Sequence, residues 1–427
     1  MRKQLIAVAA ALLATAPALA SGFSIFEQSA KASGQAGAWV ARADDAAANW
    51  YNPAALVKLE GTQVQFGFNY IDIGGDTNFT IGSDPFPIGA AALLGVTVTP
   101  GQRFESESNV AIPSHLYFTG HLNEDWAYGI GLTVPFGLVT EWKDLPLTLV
   151  SQKAELMTLN INPNLAYKIN DNWSVAFGLN YLYADIAEFS RFVPLPDVER
   201  APIPAGTYEF NLKGNGDDLG WNAAIHYAGP DWNFGFTYRD GVNPDIGGTA
   251  EFTGIEAPSI GGDTTLNLPA QAAIGVAYTA LPSFDIEFDV SWARWSTFKS
   301  LIVQFDDGSS INQAENWSDT LAFRIGGAWR LAEAHEIRLG LVRDQNPIPD
   351  NTLRPSIPDA DRTGLSFGYG FAGKKFQFDG YGMMLKFDDR NASGVFGGGA
   401  PSPYDGVIDG TYRSKVLLLG LTAGYKF

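Results

Sequence analysis

Large apolar residues recur at every second position along much of this chain, the spacing that sorts side chains onto the two faces of a β-strand. From Thr62 to Tyr70, the residues Val64, Phe66, Phe68 and Tyr70 fall on one side, with Gln63, Gln65, Gly67 and Asn69 on the other. Trp126, Tyr128, Ile130, Leu132 and Val134 alternate with Ala127, Gly129, Gly131 and Thr133. Met157, Leu159, Ile161 and Leu165 alternate with Thr158, Asn160, Asn162 and Asn164. Similar sets run from Trp173 to Tyr181, Trp232 to Tyr238 and Leu365 to Phe371. The sharpest is Phe284, Ile286, Phe288, Val290 and Trp292, interleaved with Asp285, Glu287, Asp289 and Ser291. The chain ends on one more, with Leu417, Leu419, Leu421, Ala423, Tyr425 and Phe427 on one face.

Polar breaks divide these stretches into about fourteen strands, an even number as outer-membrane barrels have. The stretch Phe376 to Phe387 alternates poorly and is the least regular of them. Asn123-Glu124-Asp125, Asn170-Asp171-Asn172 and Gly229-Pro230-Asp231 suit tight turns at one rim. The stretches 74–110, 145–152 and 391–410 suit long loops at the other. Residues 21–58 do not alternate. They are rich in Ala and Gly, which favours small helices and turns, and carry one acidic pair, Asp44 and Asp45. They hold too few large apolar residues for a core of their own. They either borrow the inner surface of the strand domain or trail as a tail.

Alternation alone does not say which face meets what, since a soluble sandwich alternates too. Composition decides for a membrane barrel. The chain has 11 Trp, 16 Tyr, 28 Phe and 47 Gly, yet only 17% charged residues, where a soluble domain carries about 25%. No apolar run reaches the ~20 residues a spanning helix needs. Residues 1–20 read as a signal peptide, with Arg2 and Lys3, a short apolar run and Ala18-Leu19-Ala20 at the cleavage point. A net charge of −18 speaks against nucleic-acid binding. There is no cysteine, so stability rests on a closed hydrogen-bonded sheet. The predicted architecture is therefore all-β: a 14-stranded antiparallel transmembrane β-barrel over residues 59–427. A small N-terminal helical hatch, residues 21–58, sits inside its lumen. The place is the outer membrane of a Gram-negative bacterium.

The N-terminal segment then carries a resemblance. Gly22-Phe23 is followed by Glu27, Ser29, Ala30, Gly37, Ala41, Asp44-Asp45-Ala46 and Asn52-Pro53-Ala54. This resembles the hatch of the long-chain fatty acid transporter (FadL) family, which also includes channels for aromatic hydrocarbons. Pro135-Phe136-Gly137-Leu138-Val139-Thr140-Glu141-Trp142 is similar to the end of that family's third strand. Leu266-Asn267-Leu268-Pro269, Trp295-Ser296 and Ile357-Pro358-Asp359-Ala360-Asp361-Arg362 match later landmarks. The resemblance implies ligand capture by outer loops, an apolar pocket near the hatch, and exit sideways through the wall.

Candidate site residues follow. Pro135 within the third strand has no N–H for a ladder, and Gly137 widens the backbone options, so Val134, Pro135, Phe136 and Gly137 are candidates to line a lateral opening. Pro163, in the next strand, marks a bend or extends the same unpaired patch. Asn52, Pro53 and Ala54 form a turn that locks the hatch in position. Family resemblance implies that Phe23 meets ligand and that Arg191, in Glu188-Phe189-Ser190-Arg191-Phe192, holds a fatty-acid carboxylate. The family's second cation, a lysine, has no counterpart at Ser318 in Asn316-Trp317-Ser318-Asp319. A neutral hydrocarbon would need neither cation. Arg191 is alternatively a loop-base arginine for lipopolysaccharide phosphates.

The expected function is passive uptake of hydrophobic compounds, long-chain fatty acids first and neutral monoaromatic hydrocarbons as the alternative. A general diffusion porin needs an open lumen, which a hatch denies. Catalysis is not expected: no Gly-x-Ser-x-Gly occurs, and His115, His121, His226 and His335 lack metal-ligand spacing. Asp285, Glu287 and Asp289 share a face and are expected to pair with arginines or the hatch. No cofactor and no metal are expected. Expected partners are the hydrophobic ligand, outer-membrane lipids and lipopolysaccharide. The terminal strand ending in Phe427 resembles the signal read by the barrel assembly machinery. The barrel is expected to be a monomer.

Overall fold

The computed structural model describes residues 22–73, 77–82, 99–195, 206–254, 258–392 and 410–427. The expected signal peptide, residues 1–20, and parts of two expected loops lie outside them. Fourteen antiparallel strands close into a barrel. They are β1 (Gln63–Ile73), β2 (Asn109–Ala111 and Ser114–His121), β3 (Trp126–Thr133 and Gly137–Glu141), β4 (Lys153–Lys168) and β5 (Trp173–Leu195). Next come β6 (Gly206–Ala228), β7 (Trp232–Arg239 and Asp245–Thr253), β8 (Ile260–Thr265 and Gln271–Leu281), β9 (Phe284–Ala293 and Ser300–Phe305) and β10 (Ser310–Ala314 and Thr320–Ala332). The circuit ends with β11 (His335–Asp344), β12 (Arg362–Ala372), β13 (Phe376–Phe387) and β14 (Lys415–Lys426). β14 pairs back onto β1, from Gln63↔Lys426 to Asp72↔Leu417, which leaves no free edge. The irregular stretch at Phe376 is thus a full strand. Over the long-loop rim, Asn78–Ile81, Arg103–Glu105, Arg390–Ala392 and Gly410–Arg413 form a separate small sheet.

The apolar face of the alternation points outward. Phe66 is 52% exposed and Leu365 is 64% exposed, too much for a soluble core and right for lipid contact. The polar face points inward and is packed. Asn160, Asn162 and Asn164 of β4 are buried in the lumen. Asn162 donates to Asn222 Oδ1 at 2.8 Å, and Asn222 donates to Asn164 Oδ1 at 2.6 Å. Asn180 donates to Asn222 Oδ1 at 2.9 Å. The network is extended by Arg239, which donates to Asn180 and stacks on Trp50 at 4.0 Å.

What it packs against is the N-terminal segment. Two short helices, α1 (Ala30–Ser33) and α2 (Ala48–Tyr51), and a 3-10 turn, Pro53–Lys58, lie almost wholly buried inside the wall. The small residues are there because backbone meets backbone. A Cβ on Gly340 of β11 would lie 2.1 Å from the carbonyl carbon of Gln35, and one on Gly235 of β7 would lie 2.2 Å from Val40 O. Glycine at these wall positions lets the segment approach that closely.

The acidic face of β9 grips the segment. Asp289 accepts from the backbone N–H of Trp39 at 2.8 Å and of Val40 at 3.1 Å. Glu287 accepts from Ala41 N at 2.6 Å and from Arg42 Nε at 2.8 Å. Asp285 pairs with Arg330. Pairing with arginines and with the hatch is what the sequence led one to expect of this triad. Hydrogen bonds to charged groups contribute about 1.5–3 kcal/mol each. The double variant E287Q/D289N is therefore expected to raise amide exchange at residues 39–42 by at least about tenfold, while the barrel ladder keeps its protection. Hydrogen exchange by mass spectrometry checks this.

Candidate functional site: a break in the wall and the cavities behind it

Between β2 and β3 the ladder is regular from His121↔Ala127 to Leu116↔Leu132. It then stops. β2 breaks at Ile112-Pro113 and β3 breaks at Val134-Pro135-Phe136. Beyond the breaks, Asn109–Ala111 pairs with β1 and Gly137–Glu141 pairs with β4, and not with one another. The next backbone bond across the seam runs from Glu107 N to Glu141 O, at 2.8 Å. The wall is unpaired over the stretch between. Pro135 was legible as one side of this gap. Pro113 was missed as the other side, because the alternation around it gives no sign of which strand it faces. Pro163 takes no part; it sits opposite Ile130 in an unbroken ladder.

On its far side β3 keeps hold of β4. Thr133 faces Asn160 and Gly137 faces Met157, so three residues of β3 oppose two of β4. That is a bulge, and it bends the strand inward. Thr158 fixes it with one hydroxyl, donating to Phe136 O at 2.7 Å and accepting from Phe136 N at 3.0 Å.

The N-terminal segment bonds to the bulge. Ile25 N donates to Pro135 O at 2.8 Å and Gly137 N donates to Phe23 O at 3.0 Å, which makes Ser24 and Phe136 a short antiparallel bridge. Gln28 Nε2 donates to Val134 O at 2.8 Å. Gly22 N donates to Asp359 Oδ2 at 3.0 Å. Asn52 anchors the other end of the segment. Its Oδ1 accepts from Ala54 N at 3.2 Å and its Nδ2 donates to Val40 O at 2.8 Å and to Ile225 O at 3.2 Å. Pro53 starts the 3-10 turn, where its missing N–H is harmless. The Asn52-Pro53-Ala54 turn therefore ties the segment to itself and to β6.

Phe23 is held in an aromatic cage. Its ring lies 4.9 Å from Trp295, 5.7 Å from Trp317, 6.1 Å from Phe136 and 6.4 Å from Phe298, edge to face throughout. Trp295 and Phe298 come from the break in β9 and Trp317 from the break in β10. The breaks in β7 and β8 add Val242, Leu266 and Leu268 to the same buried cluster. Four neighbouring strands thus kink at one level and bring an apolar shelf into the lumen. Trp295 was noticed in sequence only as a landmark, and Trp317 and Phe298 not at all as site residues.

Phe23 lines two cavities. One, about 180 Å³, lies on the long-loop side and is lined by Leu156, Ile186, Arg191, Phe210, Leu266 and Leu301 among others. The second, about 550 Å³, is lined inside by Ile25, Glu27, Val134, Gly137 and Arg362. It also reaches Val110, Ile112 and Met157, which are 47%, 60% and 58% exposed on the lipid face. Leu138, Leu156 and Ile357 line both cavities, as Phe23 does.

Charged residues interrupt the apolar lining of the first cavity at Glu155, Glu188, Arg191, Lys213, Asp263 and Glu315. Arg191 faces the first cavity. Lys153 bridges Glu155 at 2.8 Å and Glu188 at 3.1 Å nearby. Ser318 donates its backbone N–H to Pro347 O at 2.9 Å and lines neither cavity. Arg354 is, beside Lys213 of the cavity lining, a cation that sequence reading missed. Burial lowers its pKa, Glu315 opposes this, and Arg191 adds to it. Its Nη2 donates to Ala314 O at 3.2 Å, and its Nε has no hydrogen-bond partner among the described residues. Nothing in the sequence pattern brings residue 354 next to residue 191; only the fold does.

These features can be set beside known proteins. A model of the family described as outer membrane protein transport protein (OMPP1/FadL/TodX) matches residues 11–427. The chain belongs to this family. Among its relatives in the OMPP1/FadL/TodX family, a long-chain fatty acid transport protein of Escherichia coli O6:H1 is 29% identical, over 87% of this chain and 87% of that one. Outer membrane protein P1 of Haemophilus influenzae is 26% identical, over 86% and 85%. In fold, a Pseudomonas aeruginosa FadL homologue superposes with a TM-score of 0.81 at 19% identity, covering 95% of this chain and all of that one (100%). The P. putida toluene transporter TodX superposes with a TM-score of 0.70 at 14% identity, over 96% and 99%. The family is one of transport proteins of the outer membrane, and its members take hydrophobic compounds.

Asp359 makes the docking of the N-terminal segment pH-dependent. Burial pushes its carboxyl up to about 7, against Arg362, Arg390 and the N–H of Gly22, which oppose the rise, and with Asp344, which reinforces it. A carboxyl raised in the docked state favours that state fully below the ordinary carboxylate range. That contribution is lost as pH rises through about 7. Amide exchange at residues 22–25, corrected for its intrinsic pH dependence, is expected to show weaker protection at pH 8 than at pH 5. The D359N variant is expected to flatten the difference.

Proposed function

We propose that this protein takes up hydrophobic molecules, foremost long-chain fatty acids, by passive diffusion with a lateral exit through the gap between β2 and β3. One observation carries the reading: the cavity at Phe23 continues past Val134 and Gly137 to the lipid-facing side chain of Met157. A molecule captured by the outer loops enters the first cavity with its chain against the apolar shelf. Displacing Phe23 joins the two cavities. The N-terminal segment acts as a hatch that closes the lumen to bulk flow, so the route runs sideways into the membrane. The barrel acts as a monomer, and its C-terminal strand, ending in the exposed Phe427, is what the barrel assembly machinery reads.

A locked hatch tests the route. Ser24 and Phe136 face each other without bonding to each other's backbone, the closer kind of antiparallel pair, with Cα atoms about 4.5 Å apart. That spacing accepts a disulfide, and the chain has no other cysteine. Oxidised S24C/F136C is expected to lose uptake of oleate, and the reductant is expected to restore it to the level of the two single variants. Undiminished uptake by the oxidised protein would sink the lateral route.

Fatty acid is favoured as cargo because Arg191 faces the apolar cavity with Arg354 beside it. A buried carboxylate needs such a partner. The second reading is a neutral aromatic hydrocarbon, as for the TodX transporter, and the missing lysine at Ser318 is what favours it. R191A decides between them. Oleate binding is expected to weaken about tenfold or more, with toluene binding unchanged. Equal oleate binding by R191A and the parent would move the reading to neutral cargo.

A further inference from the structure

The lipid-facing surface is apolar until the long-loop rim, where β13 and β14 place Lys386 and Lys415 directly opposite each other. Both are exposed. They share the outward face with Met384 and Leu417, which are 49% and 38% exposed just below them in the apolar band. Theirs is the one pair of lysines facing each other in the described ladders. One strand further, Lys386 lies opposite Thr363 of β12, and Thr363 lies opposite Arg343 of β11. Three basic residues, Lys415, Lys386 and Arg343, therefore stand at one height across four strands, with Thr363 between the last two.

Like charges directly opposite on one sheet face destabilise the pair. Proteins usually place an acid between them, and the nearby acids among the described residues are engaged elsewhere. Asp388 and Asp361 are taken by Arg343, at 2.7 and 2.8 Å. Asp389 is taken by Arg413 at 2.7 Å. Asp72 of β1 lies opposite Leu417 and accepts from Ser108 at 3.3 Å. No ion pair joins Lys386 or Lys415 to any described acid. In a chain with a net charge of −18, two opposed lysines at the top of the apolar band offer a seat to an anion from outside the protein.

We propose that Lys386 and Lys415 together bind a phosphate group of lipid A in the outer leaflet. The height fits, because the row stands where the apolar band ends and headgroups begin. The chemistry fits, because ammonium groups on flexible stems reach toward a phosphate while their methylenes stay on the lipid side. Two cations across from each other can share one phosphate, whereas Arg343, about 10 Å away across two strand spacings, is already held by Asp361 and Asp388. Neither lysine lines either cavity, so the site is separate from the uptake route.

The test uses the full-length protein in detergent, with native mass spectrometry as readout. Diphosphoryl lipid A, the same lipid with both phosphates removed, and phosphatidylglycerol are titrated into the parent and into K386Q/K415Q. The parent is expected to bind diphosphoryl lipid A at least tenfold more tightly than the variant does. The dephosphorylated lipid is expected to bind both alike and weakly. Equal lipid A binding by parent and variant would overturn the proposal. So would phosphatidylglycerol binding the parent as tightly as lipid A, since the row would then be an unspecific attraction for anionic headgroups. Oleate uptake by the variant, reconstituted in vesicles without lipid A, is expected to match the parent and shows that it is folded.

Discussion

Inside a bilayer no water is at hand to bond a backbone group that the sheet leaves free. The described strands of this barrel meet that constraint by pairing with one another over most of their length, and the seam between β2 and β3 departs from it. Where β2 and β3 part, the protein supplies substitutes: a threonine hydroxyl for Phe136, a glutamine amide for Val134, and the backbone of Phe23 and Ile25 for the rest. The N-terminal segment is thus bound to the wall by the same kind of bond that the wall lacks there. Proline at 135 is tolerated because the bond its N–H would have made is one the gap no longer requires.

The same constraint explains the lumen. A segment laid through a barrel brings its own N–H and C=O groups, and in this interior they are met by buried side chains. Asp289 and Glu287 take four donors from residues 39–42, and Asn49 and Asn52 reach the wall strands from the helices. Glycine on the wall and alanine on the segment let the two backbones meet at van der Waals distance. The result is a packed polar core surrounded by an apolar exterior, the inverse of a soluble protein, reached from a period-two pattern that either fold would share.

That pattern made most of the barrel legible. Alternation located the strands, and composition chose lipid for the apolar face. Pro135 announced a break because proline in a ladder is a local, readable fault. The acidic triad on β9 was readable for a similar reason, since three carboxylates on one inward face need donors. What was not legible depends on contacts between distant residues. Pro113 looks like a strand start until β3 is placed beside it. Trp295, Phe298 and Trp317 become a cage only when four kinks align at one height around Phe23. Arg354 lies in a stretch with no strand pattern, and its neighbour Arg191 is far away in sequence.

The aligned kinks in β7 to β10 do two things at once. The shelf they form touches the first cavity through Leu266 and Phe298, and the same Phe298, with Trp295 and Trp317, packs on Phe23 of the N-terminal segment. A substitution on the shelf therefore acts on the cavity and on the seat of the segment together, so the two are bound to change in step.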